Sequence, residues 1–104
     1  METFTVKIGT DKGNLAFDPQ KLTAAPGDTI EWVCNKVAPH NVVFEASGAL
    51  TEDLARSLSR PKMMLSPGQK QTTVIPLDTP PGEYRFHCAP HRGAGERGTL
   101  TIHG

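Results

Sequence analysis

Nowhere in its 104 residues does this chain hold an apolar run near the roughly 20 residues that a membrane-spanning helix needs. No signal peptide is visible at the N-terminus. Net charge is absent too: 11 Lys and Arg balance 11 Asp and Glu. Nothing in that balance argues for nucleic acid or for bulk membrane binding. Cysteine is scarce. There are two, Cys34 and Cys88, which leaves open an oxidised pair or two thiols with separate roles. Tryptophan occurs once, at Trp32, and its expected role is core filling. The length suits one domain of ordinary size, spanning 1–104.

Turn residues, by contrast, are plentiful, with 10 Gly and 9 Pro. Between them lie short alternating segments. Phe4, Val6 and Ile8 share one face of a first strand, and Ile30, Trp32 and Cys34 share one face of another. Leu15-Ala16-Phe17 begins a strand that Pro19 interrupts, which puts it at a bend or an edge. Gln71 to Leu77 reads as a strand in which Pro76 demands an edge or a bulge. Leu50, Leu54 and Leu58 recur every four residues behind a capping Thr51, and Pro61 follows. They predict one short helix around residues 51–59, a connector between sheets with a solvated charged face. Turn signals fall about every ten residues and separate seven to eight strands. This predicts an all-β chain, an antiparallel Greek-key β-sandwich.

The densest chemistry lies near the C-terminus, where Cys88, His91 and Glu96 fall within nine residues. Tyr84-Arg85-Phe86 alternates before them and Gly98-Thr99-Leu100-Thr101-Ile102 alternates after. The group therefore sits on a loop between strands, tightened by Pro90, Gly93 and Gly95. Cys-x2-His places a soft thiolate and a borderline imidazole together, a combination that suits copper or zinc. A third ligand must come from elsewhere, and His40, after Pro39, is the candidate. Two imidazoles and one thiolate form the trigonal set of blue-copper electron-transfer sites, with a weak axial fourth ligand. His87 is next to Cys88, but neighbours on a strand face opposite sides, so it is not a ligand candidate. His103 reads as a solvent-exposed residue.

Six segments, this loop among them, form a pattern from end to end: Pro26-Gly27-Asp28-Thr29, Asn35-Lys36, Pro39-His40-Asn41, Ser66-Pro67-Gly68, Pro81-Gly82-Glu83-Tyr84 and Cys88-Ala89-Pro90-His91-Arg92-Gly93-Ala94-Gly95. On these residues the chain resembles the plastocyanins of the cyanobacterial kind, type 1 blue-copper cupredoxins. The resemblance implies a cupredoxin-like fold and one copper ion, Cu(I)/Cu(II), held by His40, Cys88 and His91. It implies a supporting role for Asn41 and Pro39 around the site. It also implies a small soluble carrier of single electrons, not an enzyme, from cytochrome f of the cytochrome b6f complex to photosystem I. The expected place is the thylakoid lumen, as a mature monomer without a signal peptide and only peripheral to the membrane. Leu15, Pro90, Arg92 and Gly93 would lie on the surface that docks those partners.

Three positions depart from that family. Glu96 stands where the family has its axial methionine, Cys34 where it usually has asparagine, and His87 where it normally has tyrosine. Met63 and Met64 are set far back along the chain and cannot replace that methionine by loop geometry. A carboxylate at 96 is a harder ligand that favours Cu(II) over Cu(I) and makes zinc a better competitor. The alternative function is therefore a variant that has a lowered potential, or binds zinc, and is a poor electron carrier. Four histidines cannot furnish the further metal sites that nitrite reduction or multicopper oxidation requires. A metal-free adhesion sandwich leaves the ligand spacing unexplained. If Glu96 ligates, Glu96→Met will raise the reduction potential and sharpen the thiolate-to-copper absorption. An unchanged spectrum would mean that this carboxylate points away from the metal.

Overall fold

The computed structural model describes residues 2–36, 39–46, 50–90 and 97–103. In chain order the strands are β1 (Thr3–Ile8), β2 (Phe17–Asp18), β3 (Lys21–Ala24), β4 (Thr29–Cys34) and β5 (His40–Phe44). The helix α1 (Glu52–Leu58) follows, then β6 (Arg60–Met64), β7 (Lys70–Val74), β8 (Gly82–His87) and β9 (Arg97–Ile102). They form two sheets, one ordered β2-β1-β4-β7 and the other β3-β9-β8-β5-β6. No helix among the described residues is long and apolar enough to cross a membrane.

The sandwich follows from the alternation. In β4 the buried positions are Ile30, Trp32 and Cys34, and in β8 they include Tyr84 and Phe86. One face of each strand meets the facing sheet, and the other meets solvent. Four aromatic rings close the space between. Phe86 lies 4.7 Å from Phe17, 5.2 Å from Trp32 and 5.1 Å from Phe44, measured between ring centroids. Phe17 and Trp32 belong to the first sheet and Phe44 and Phe86 to the second, so one cluster joins both. The indole N–H of Trp32 donates to Thr73 Oγ1 at 2.9 Å, and the Thr73 hydroxyl donates to the Leu58 carbonyl at 3.0 Å. Each buried polar group there has a partner, as a dry interior requires.

Several details differ from the sequence-based expectation. Nine strands are present among the described residues, against the seven to eight expected. The sheets are mixed and not wholly antiparallel, because β1 pairs with β4 and β3 with β9 in parallel. The chain leaves β1, crosses to the other sheet as β3 and returns, so it enters β4 in the direction of β1. Neither β3 nor β6 was named from the sequence, and β6 is the less expected of the two. It contains Pro61, whose missing N–H is tolerated because β6 is an edge strand. β2 and β7 are edges as well, and each stops short of its proline, Pro19 and Pro76.

The helix connects the sheets. Thr51 Oγ1 accepts from the Leu54 N–H at 3.2 Å and caps its start. Ser59 closes its end by donating to the Ala55 carbonyl, and accepts from the Phe44 N–H at 2.8 Å. That second bond fixes the helix to the end of β5. At the opposite turn, Asp28 accepts from the backbone N–H of Glu2 and then of Ala25, which hold its carboxyl below the usual range. Stability from this lowered pKa is present above the unfolded value of about 3.9 and is lost as pH falls through the folded value.

Phe86 also dictates one glycine. A Cβ on Gly98, its partner on β9, would lie 2.4 Å from Phe86 Cζ and 2.8 Å from the Gln20 carbonyl oxygen. The ring cannot give way, since three other rings surround it. Gly98→Ala will therefore destabilise the fold by about 1–3 kcal/mol through overpacking, read as a lowered urea midpoint with unchanged slope.

Candidate metal centre

Two strands deliver the central pair. β5 opens with His40, and β8 ends one residue before Cys88. The strands run antiparallel, with Val43 opposite His87 and Phe44 opposite Phe86. Continuing that register carries the start of β5 alongside the chain leaving β8. His40 Nδ1 lies 3.6 Å from Cys88 Sγ, and both residues have 0 % exposure.

Backbone contacts orient both side chains. The Nε2–H of His40 donates to the Lys36 carbonyl oxygen. That bond selects the tautomer whose Nδ1 lone pair faces the sulfur. Lys36 is itself held by a close approach to β1. A Cβ on Gly9 would lie 2.0 Å from the Lys36 oxygen, and Gly9 has φ +85°, so glycine is required twice over. Asn35 secures the same loop by donating to the Gly9 carbonyl at 2.8 Å and to Asp11 Oδ1 at 2.9 Å. This amide, then Lys7, keeps the Asp11 carboxyl below its usual range.

Asn41 joins the two halves. Its Oδ1 accepts from the Ala89 N–H at 2.8 Å, and its Nδ2–H donates to the Pro61 carbonyl at 3.0 Å. One side chain thus ties β5 to the loop after Cys88 and to β6. The Pro39 carbonyl oxygen lies 3.9 Å from Cys88 Sγ on the other side.

The pair suits a metal. Zinc bonds of about 2.3 Å to thiolate and about 2.0 Å to imidazole, at a tetrahedral angle, hold S and N about 3.5 Å apart. Soft sulfur with imidazole also suits copper. Among the described residues no group of three His, Cys, Asp or Glu converges on a point. His91 and Glu96, the other sequence candidates, lie outside the described residues, as do Arg92 and Gly93. Of the remaining candidates, Leu15 is half-buried, and Pro39 and Pro90 are exposed.

The fold adds neighbours that the sequence did not disclose. Met64, remote along the chain, is the Cα partner of His40 on β6 and is buried beside it. Cys34 is a buried thiol whose Sγ lies 3.8 Å from the Met64 carbonyl oxygen. His87 faces outward, away from the core, yet it is buried and its Nδ1 lies 2.9 Å from Glu45 Oε2. No local signal in the sequence links Glu45 to His87, because the two meet only through the β5–β8 pairing.

Comparison with known proteins agrees with this geometry. The family of copper-binding proteins that unites plastocyanin and azurin matches residues 4–103. A plastocyanin of Nostoc punctiforme is 59 % identical over 105 residues, covering 99 % of this chain and 76 % of that one. A plastocyanin of a Synechococcus strain is 46 % identical over 103 residues, covering 99 % and 75 %. Among solved structures, a mutant plastocyanin of fern superposes with a TM-score of 0.78 at 27 % identity, covering 95 % of this chain and 99 % of that one. With its two sheets, its buried cysteine and histidine side by side and this degree of likeness along almost its whole length, the chain belongs to the plastocyanin/azurin family of copper-binding proteins.

Proposed function

We propose that this chain carries single electrons from cytochrome f of the cytochrome b6f complex to photosystem I, as a monomer in the thylakoid lumen and not as an enzyme. Its plastocyanin relatives support a small copper electron carrier. The observation that carries the reading is the 3.6 Å approach of His40 Nδ1 to Cys88 Sγ in a fully buried setting. His40, Cys88, His91 and Glu96 would hold the copper. Bound copper supplies a one-electron couple between Cu(I) and Cu(II).

The chain's own residues keep that site still. Lys36 fixes the His40 ring, and Asn41 clamps the loop after Cys88 to β5 and β6. A site so held changes little when its charge changes, which favours fast transfer. His40, Cys88 and Met64 are all buried, which keeps their side chains from bulk water. Leu15, Pro90, Arg92 and Gly93 would form the docking surface, with Arg92 steering partners in a salt-dependent way.

A second reading rests on Glu96 in the family's methionine position. A carboxylate ligand stabilises Cu(II), lowers the potential and favours zinc, which would give a poor or redox-silent carrier. Elemental analysis with a reduction potential separates the two: copper at a potential within reach of cytochrome f supports the first, and zinc or a markedly lowered potential the second.

The electron-carrier reading is tested by visible absorption of the Cu(II)-loaded protein. An intense thiolate charge-transfer band is expected, kept in Cys34→Ser and abolished in Cys88→Ser. A band that survives Cys88→Ser would overturn the assignment. Asn41→Ala leaves the Ala89 N–H and the Pro61 carbonyl without their partner. It will cost about 1–3 kcal/mol in urea unfolding and will speed the loss of metal to a chelator.

A further inference from the structure

The outer face of the five-stranded sheet carries a cleft that the electron-carrier reading does not use. Its volume is about 280 Å³, and Gln20, Lys21, Glu45, Arg85, Arg97 and Thr99 line it. The strand register builds it. Lys21 on β3 and Arg85 on β8 both stand opposite Thr99 on β9, so the three form one row across adjacent strands. Arg97 stands two residues before Thr99 on the same side of β9, opposite His87. With strands about 4.8 Å apart, Lys21 and Arg85 flank Thr99 at about 10 Å from each other, and Arg97 closes one end.

The charge there is uneven. Ion pairs on other faces join Lys7 to Asp11, Arg56 to Asp53 and Lys70 to Glu31. Among the described residues, no ion pair engages Lys21, Arg85 or Arg97. Among the described residues Glu45 is the one acid on the cleft wall, and its Oε2 lies 2.9 Å from His87 Nδ1. Among the described residues three cations thus share the cleft with one carboxylate, in a chain whose total charge is zero. Two guanidinium forks match the oxygens of a tetrahedral anion, a lysine adds a point charge, and Thr99 adds a hydroxyl.

We propose that this cleft binds a phosphate dianion, as inorganic phosphate or as a phosphate monoester, between Arg85, Arg97 and Lys21. The cleft runs on into a wider groove of about 600 Å³, where Glu83 joins the wall. That end disfavours a second anionic group, so an esterified ligand would lay an uncharged remainder there. The site lies on the outer sheet face, separate from His40 and Cys88, which point inward. It stands whether or not the chain serves photosynthesis.

The test is an amide NMR titration of the full-length reduced protein with inorganic phosphate, at an ionic strength held constant with chloride. Saturable shifts are expected at Gln20, Arg97 and Thr99. Affinity should fall at least tenfold in the Arg85→Gln/Arg97→Gln variant and by a smaller factor in Lys21→Gln, an exposed change on an edge strand. Arg56→Gln, on the helix, should leave it unchanged. Tighter binding of glycerol phosphate assigns a monoester, and equal binding assigns the free ion. A shift that does not saturate, that chloride alone reproduces, or that survives the Arg85→Gln/Arg97→Gln change would overturn the proposal.

Discussion

The pairing of β5 with β8, locked from beneath by the Phe86 ring, is the constraint on which the rest of the molecule depends. Phe44 and Phe86 stand opposite each other on the inner face, and Phe17 and Trp32 of the other sheet close over them. Removing so large a side chain from such a cluster typically costs about 3–5 kcal/mol. The same register that seats Phe86 also sets how His40 and Cys88 meet. Core and candidate site are therefore one mechanical unit. A slip of β5 by one residue against β8 would turn Phe44 outward and pull the imidazole from the thiol.

Around this unit the chain spends mainly backbone contacts. Lys36 positions His40 through its carbonyl, and Gly9 lets that carbonyl come close. Asn41 spans β5, β6 and the loop after Cys88 with two hydrogen bonds. Backbone groups have few conformations to lose, so a site oriented by them is stiff. A carrier that must not rearrange when its charge changes benefits from that stiffness. The outer face of the same sheet is built differently. Its long cationic side chains stand over Thr99 with few constraints, a surface suited to meeting ions and not to holding geometry.

Much of the fold was readable residue by residue. The alternation of Ile30, Trp32 and Cys34 and that of Tyr84 and Phe86 announced strands with one buried face. The four-residue spacing of Leu50, Leu54 and Leu58 behind Thr51 announced the helix. The strand β6 was not readable. Pro61 argues against a strand locally, and only an edge position in the sheet permits one. The Cys-x2-His loop was legible as chemistry because its spacing is local, whereas its union with His40 required a partner 48 residues away.

By itself, then, the sequence determined which residue types alternate, where turns must fall and which segment gathers candidate ligands, because these depend on neighbours within a few positions. It also carried a family pattern along nearly its whole length. Only the tertiary structure decided that Met64 lies beside His40, that Gly9 makes room for Lys36, that His87 meets Glu45, and that Lys21, Arg85 and Arg97 share one face. Each of these joins residues from different strands, and strand register is set by the packing of the whole sandwich around Phe86, which no local stretch contains.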